Sequence, residues 1–251
     1  SHDGIHWKKP HVGRFTYKRS KKNNIVIAAT GQLSDEEEMF EPPATVGGIR
    51  AANSILHQPD EPDPQRRYKA LVRTRGFSLL TSPDGIRWTD CGKIFDQGYD
   101  CTTIAYDPVR KIYYANSKMQ AWGRRGRGHM ESPDCLHWSD AQYQMTVDQR
   151  DRPNDQMYTM DMWYYETLHL AFLRVYHVEP EHRLDLQLIS ARDPRHWDRT
   201  FRSALLELGD QRSNEWDWAN QSVISVPPVV VGDQMWIYYS GRTQDHRSRD
   251  Y

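Results

Sequence analysis

Apolar and polar residues alternate along this chain in short runs bounded by turn residues, and nowhere recur at the spacing of a long amphipathic helix. Four runs share one form, a turn followed by an aromatic-rich strand. They are Asp63-Pro-Gln-Arg-Arg-Tyr-Lys-Ala-Leu-Val72, Asp107-Pro-Val-Arg-Lys-Ile-Tyr-Tyr114, Tyr165-Glu-Thr-Leu-His-Leu-Ala-Phe-Leu173 and Val231-Gly-Asp-Gln-Met-Trp-Ile-Tyr-Tyr239. With 15 Gly and 14 Pro breaking the chain, the prediction is all-β. The segment 11–44 fits none of these runs. Val26-Ile-Ala-Ala29 predicts a strand there, while Lys18-Arg-Ser-Lys-Lys22 and Asp35-Glu-Glu-Glu38 read as solvated charge runs.

A second pattern alternates with the first. It occurs as Ser1-His-Asp-Gly-Ile-His-Trp7, Ser82-Pro-Asp-Gly-Ile-Arg-Trp88, Ser132-Pro-Asp-Cys-Leu-His-Trp138 and Ser190-Ala-Arg-Asp-Pro-Arg-His-Trp197. In each copy an Asp (Asp3, Asp84, Asp134, Asp193) precedes a Trp by four residues. Asp-Gly and Pro-Asp are turn chemistry, so each copy predicts a hairpin whose Trp packs between sheets. The tryptophans are separated by 81, 50 and 59 residues. Propeller blades repeat every ~40 to 50 residues with recurring turn and aromatic signals. Two inner and two outer strands make a blade, which places blades near 45–90, 95–140 and 150–200. The inner hairpin at 220–242 lacks an outer pair and residues 1–8 lack an inner one. These segments either close one ring or are the cut ends of a longer one. The expectation is a single β-propeller domain over 1–251, five-bladed, with four-stranded antiparallel blades.

Composition agrees with a packed globular protein: 37% hydrophobic, 27% charged and 12% aromatic residues, with nine Trp and fourteen Tyr. A net charge of -1 and a pI of about 6.8 give no electrostatic reason to favour nucleic acid or an anionic membrane. Cys91, Cys101 and Cys135 are too few and too irregular for a disulfide framework or a zinc site. No apolar run reaches the ~20 residues of a membrane span. Neither a signal peptide, a Walker loop, a Gly-x-Ser-x-Gly elbow nor a dinucleotide fingerprint is present. Of the eleven histidines, His6, His137 and His196 belong to the repeat hairpins, and His57, His129 and His177 lack metal-ligand spacing. Nothing calls for a cofactor, and no ligand pattern supports a structural calcium.

In a propeller the innermost strands line the channel, so their first residues converge on one face. These entrances read Gly47-Gly-Ile-Arg-Ala-Ala-Asn53, Gln97-Gly-Tyr-Asp-Cys-Thr-Thr103, Pro153-Asn-Asp-Gln-Met-Tyr158 and Asn214-Glu-Trp-Asp-Trp-Ala-Asn-Gln221. Three of the four supply carboxylates: Asp100, Asp155, and Asp217 with Glu215. Carboxylates sharing a cavity have their pKa values driven apart, as glycoside hydrolysis requires. Taken singly, each is equally a turn former bound to backbone amides. Asn53, Tyr158 and Gln221 offer sugar-binding groups, and Trp122, Trp216 and Trp218 offer ring faces, while Trp163 and Trp236 are expected in the core. Trp122 opens a loop, Trp122-Gly-Arg-Arg-Gly-Arg-Gly-His129, in which Arg124, Arg125 and Arg127 suit a clamp on an anionic sugar, or simply a solvated connection.

The runs Asp84-Gly-Ile-Arg-Trp88, Asp100-Cys-Thr-Thr-Ile-Ala-Tyr-Asp-Pro108, Glu131-Ser-Pro-Asp-Cys-Leu-His-Trp138 and Val229-Val-Val-Gly-Asp-Gln-Met-Trp-Ile-Tyr-Tyr-Ser-Gly241 resemble bacterial proteins related to the five-bladed propeller glycosidases, glycoside hydrolase families 32, 43, 62, 68 and 117. The resemblance spans most of the chain and implies acidic residues from successive blades around a central pocket. Asp100, Asp155 and Asp217 are the matching set, with Glu215 as an alternative acid. The invertase-type Trp-Met-Asn-Asp-Pro motif is absent, and Asn53 stands where the first complete blade is expected to supply a carboxylate. The function expected is hydrolysis of a glycosidic bond in a poly- or oligosaccharide, with an extracellular or periplasmic location favoured. Two other readings are a non-catalytic carbohydrate-binding propeller and a scaffold that binds another protein through a flat face.

Overall fold

Each complete repeat of the computed structural model is a four-stranded antiparallel meander, with its hairpin turn at the position of the Asp and Trp. The structure describes residues 1–30, 45–47, 51–74, 76–96, 101–180, 182–223 and 226–247. Its contacts group into two units, Ser1–Gln97 and Gly98–Tyr251.

In the first unit, β1 (Ala28–Thr30) pairs in parallel with β2 (Thr45–Gly47). Then β3 (Ala51–His57), β4 (Tyr68–Arg73), β5 (Phe77–Ser82) and β6 (Thr89–Phe95) form a sheet in that order. Ala70, Val72, Leu80 and Trp88 form its core, with Val26, Ile27 and Tyr68 packed against them. The β3–β4 connection turns on Asp63, whose side chain accepts the Gln65 N–H at the start of a 3-10 turn. Lys69 is fully buried beneath it and donates to Gln58, Glu61 and the Arg66 carbonyl.

In the second unit, β7 (Thr103–Asp107), β8 (Ile112–Ala121), β9 (Arg124–Ser132) and β10 (Gln142–Met145) form one meander. β11 (Gln156–Tyr165), β12 (Leu168–His177), β13 (Arg183–Asp193) and β14 (His196–Asp198) form the next. β15 (Asn220–Val223) bridges β13 through Leu184 and Asn220. β16 (Val229–Val231) and β17 (Gln234–Trp236) make a hairpin, and β18 (Tyr239–Arg242) returns to pair with β15. Ala105 and Tyr114 pack with Met157, Met160, Met162, Ala171, Leu173, Val175 and Ile189 in one core. The opposite face of the β11–β13 sheet buries Trp163, Phe172 and Leu186.

The complete blades thus run 51–95, 103–145 and 156–198: all three start later than the sequence pattern suggests, and the first two also end later. The reason is the fourth strand. β6 follows Trp88 and carries Thr89, Asp90, Cys91 and Lys93 on a largely exposed edge, so no apolar alternation marks it.

The repeat hairpin has one internal design. Asp84 Oδ1 accepts the Ile86 and Arg87 amides at 2.9 and 2.8 Å, and Asp134 Oδ1 accepts those of Leu136 and His137 at 2.8 Å each. The indole N–H of Trp88 donates to the Gly85 carbonyl at 3.0 Å, and Trp7, Trp138 and Trp197 do the same to Gly4, Cys135 and Pro194. In three of the copies the residue after the Asp has a positive φ, 74° at Gly4, 72° at Gly85 and 65° at Cys135, which glycine adopts without strain; the fourth has Pro194 there and turns differently. Asp84→Ala is therefore expected to cost about 1 to 2 kcal/mol, as loss of an amide-capping side chain does, measured as a drop in the urea midpoint. The packing of the four tryptophans is unequal: Trp88 is buried, Trp197 is packed against the core of the second unit, and Trp7 is 65% exposed.

Candidate functional site

The starts of β11 and β15 lie at one end of the second unit, together with the end of β12 and the start of β9. Four hydrogen bonds tie β7, β9 and β11 together there. Arg127 of β9 donates to the Tyr158 carbonyl on β11 at 2.9 Å and to the Cys101 carbonyl ahead of β7 at 2.6 Å. Thr103 Oγ1 donates to the Met160 carbonyl at 2.5 Å. Arg125 donates to Gln156 Oε1 at 3.1 Å. Arg127 is fully buried, and its Nε is satisfied by Asn116 Oδ1.

Aromatic and charged groups cluster around the Tyr158 ring at this end. The Arg125 guanidinium lies 5.3 Å from the Tyr158 ring centroid and 5.7 Å from that of Tyr176. Arg174 lies 5.2 Å over the Tyr158 ring and donates to Asn220 Oδ1 at 2.6 Å. The His246 ring meets both tyrosines edge-on, at 4.8 and 4.7 Å. Burial, and then the charges of Arg125, Arg174 and Arg242, holds His246 below its ordinary value, so the ring favours the neutral form.

Asp161 is the acid that acts on this cluster through Arg174. It sits on β11 opposite Phe172, on the face shared with Thr159 and its partner Arg174. Burial pushes its carboxyl up to about 6, against the pull of Arg174 and Arg127. Such a carboxyl exchanges its proton near neutrality. Sequence reasoning missed it because Met160-Asp-Met-Trp163 reads as core strand. The available signal was a lone charge in the middle of an apolar strand, which demands a partner.

The expected site residues fall into separate groups. Asp155 is buried, with its Oδ1 2.9 Å from His177 Nδ1; the other ring nitrogen, Nε2, lies 3.1 Å from Asp185 Oδ2. Burial lowers the His177 pKa, but the two carboxylates outweigh it and hold the ring protonated up to about 9. A cleft of about 170 Å³ opens beside it, lined by Arg152, His177, Arg183, Asp185 and Glu207 among others. Asp217 is also buried and accepts from Gln221 Nε2 at 3.0 Å and from the Tyr239 hydroxyl at 3.1 Å. Gln221 donates as well to the Glu207 carbonyl, so the Asp217 group backs the wall of the same cleft. Glycine at 241 is required here, because a Cβ would collide with Asp217 and Trp216.

Glu215 is exposed and accepts the Asp210 amide at 2.8 Å. Trp216 is 55% exposed with its ring 5.1 Å from that of Tyr239, whereas Trp218 is buried. Trp122 is 85% exposed at the β8–β9 turn and meets Tyr143 edge-on. Trp163 is buried and Trp236 is half-buried. Arg125 and Tyr158 are the two expected binding residues that enter the cluster. Asn53 is at an irregularity of β3 in the first unit, and Asp100 lies outside the described residues.

No protein-family model and no curated protein matches this chain. Solved structures do. A β-1,2-mannobiose phosphorylase from Listeria innocua is similar over 70% of this chain and 52% of its own, with 16% identity and a TM-score of 0.54. An endo-1,4-β-xylanase from Bacteroides thetaiotaomicron is similar over 69% and 70%, with 9% identity and a TM-score of 0.47. A thermostable family-43 glycoside hydrolase is similar over 62% and 57%, with 12% identity and a TM-score of 0.47. The chain spans about half the length of the phosphorylase. At these identities the likeness is one of fold. The chain is built of four-stranded antiparallel sheets of the β-propeller-blade kind.

Proposed function

We propose that this chain acts on a carbohydrate, cleaving a glycosidic bond at the cluster by the start of β11. The observation that supports this most is Asp161, a carboxyl raised to about 6 on the first strand of its blade, beside aromatic faces that suit a sugar ring. Asp161 supplies the proton-exchanging group. Its partner carboxylate comes from the strand entrances, where Asp100, Asp155, Asp217 and Glu215 stand. Tyr158 and Tyr176 position the ring, with Trp122 and Trp216 as outlying apolar surfaces.

A second reading, non-catalytic carbohydrate binding, draws on a different observation. Asp155 and Asp217 are both engaged by internal partners, His177 and the Arg152 amide for one, Gln221 and Tyr239 for the other. Hydrolysis of a panel of aryl glycosides and polysaccharides separates the two. The parent chain is expected to turn over at least one member, with a pH limb near 6. Asp161→Asn is expected to lose at least ~100-fold and to abolish that limb, while remaining folded by circular dichroism. Asp155→Asn, Asp217→Asn, Asp100→Asn and Glu215→Gln then identify the partner. Full activity in Asp161→Asn sinks the assignment. Sugar binding without turnover in the parent establishes the binding module.

A further inference from the structure

We propose that Arg125 and Arg174 form an oxyanion-binding wall in this cluster, so that the ligand taken there carries a carboxylate, sulfate or phosphate group. The sugar part of this statement rests on the carbohydrate reading above; the anion part rests on the arginines alone. Among the described residues neither guanidinium makes a close ion pair, and the charge that acts most on Arg174 is that of Asp161. Arg125 has the Gln156 amide oxygen and the faces of Tyr158 and Tyr176 as its contacts. Arg174 has Asn220 Oδ1 and the Tyr158 face, and its buried Nε has no hydrogen-bond partner.

Guanidinium groups held on ring faces and by neutral amides are oriented, and Asp161 is the acid that acts on Arg174. Their remaining N–H donors suit a two-oxygen acceptor, which a carboxylate, a sulfate ester or a phosphate presents and a neutral hydroxyl does not. The surroundings favour a negative guest. Arg242 acts on both Arg174 and His246 and Arg247 acts on Tyr176, with Asp245 acting in the opposite sense on His246 and Tyr176. The carboxylate acting on the cluster, Asp161, is the one that gives up its charge most readily as the pH falls.

Calorimetric titration of the purified chain with glucuronate, glucose 6-sulfate and inorganic phosphate tests this, with glucose as the neutral control. At least one oxyanion is expected to bind about tenfold more tightly than glucose. Arg125→Gln and Arg174→Gln are each expected to weaken that binding by about tenfold. Arg87→Gln, on a repeat turn of the other unit, is expected to leave it unchanged. Should Arg174→Gln fail to fold, Arg125→Gln carries the comparison alone. Preference for glucuronate or the sulfate ester identifies an anionic sugar, and preference for phosphate alone identifies a free oxyanion. Absence of any preference over glucose, or a preference that survives both substitutions, overturns the proposal. In that event cleavage of a neutral glycan still upholds the carbohydrate reading. Conversely, Arg125-dependent oxyanion binding without any glycan bound or cleaved keeps the wall and removes the sugar.

Discussion

Replacing His177 with Phe is expected to destabilise the second unit by about 3 to 5 kcal/mol, the cost of leaving buried charges without their partner. The imidazole lies between Asp155 and Asp185, touching both at 2.9 and 3.1 Å, with its side chain 13% exposed and theirs 5% and 12%. Phe keeps much of the volume and none of the charge, so the two carboxylates face each other across an apolar ring. The same arrangement sets the pH dependence. The folded-state value of about 9 lies above the ordinary 6.5. The stabilisation is therefore complete below pH 6.5 and is lost as the pH rises through 9, by about 3 kcal/mol at most. Urea unfolding at pH 6 and pH 9.5 checks both points. The parent should be weaker at the higher pH, and His177→Phe should be weak at both. Equal loss between the two pH values in parent and variant would show that the ring is neutral and the ion-pair account wrong.

Arg127→Met is the second large effect, about 3 to 5 kcal/mol, with loss of the cluster geometry in addition. One buried guanidinium satisfies Asn116 Oδ1 and the carbonyls of Tyr158, Cys101 and Asn116. It ties β9 to β8, to β11 and to the segment ahead of β7. Met fills the space but leaves four acceptors dry. Arg127→Lys restores a charge without the planar fork and is expected to recover less than half of the loss. Guanidinium chloride titration gives the stability, and ligand binding by the folded fraction reports on Tyr158, whose carbonyl Arg127 holds. A variant as stable as the parent would mean that water replaces the fork.

The two effects show why part of the site was legible in the chain and part was not. Asp155 announces itself at a strand entrance, yet nothing near it in sequence tells that His177 claims it. Asp161 hides in an apolar strand, and Arg174 in Leu-Arg-Val-Tyr176 looks like an ordinary exposed position between buried ones. Arg125 was visible as a member of a basic loop, but its seat on two tyrosine rings from neighbouring strands was not.

What the sequence by itself determined was the repeating blade. Its hairpins close through contacts two to four residues apart, Asp84 to the Ile86 and Arg87 amides and Trp88 to the Gly85 carbonyl, so turn chemistry and spacing suffice to reveal them. The polar fourth strands escaped because their pairing is set by the neighbouring strand rather than by their own pattern. Only the tertiary structure decided which carboxyl is desolvated and which is paired. Burial and charge act through space, and the groups that act on Asp161 reach it from β9 and β12, elements that only folding brings beside β11.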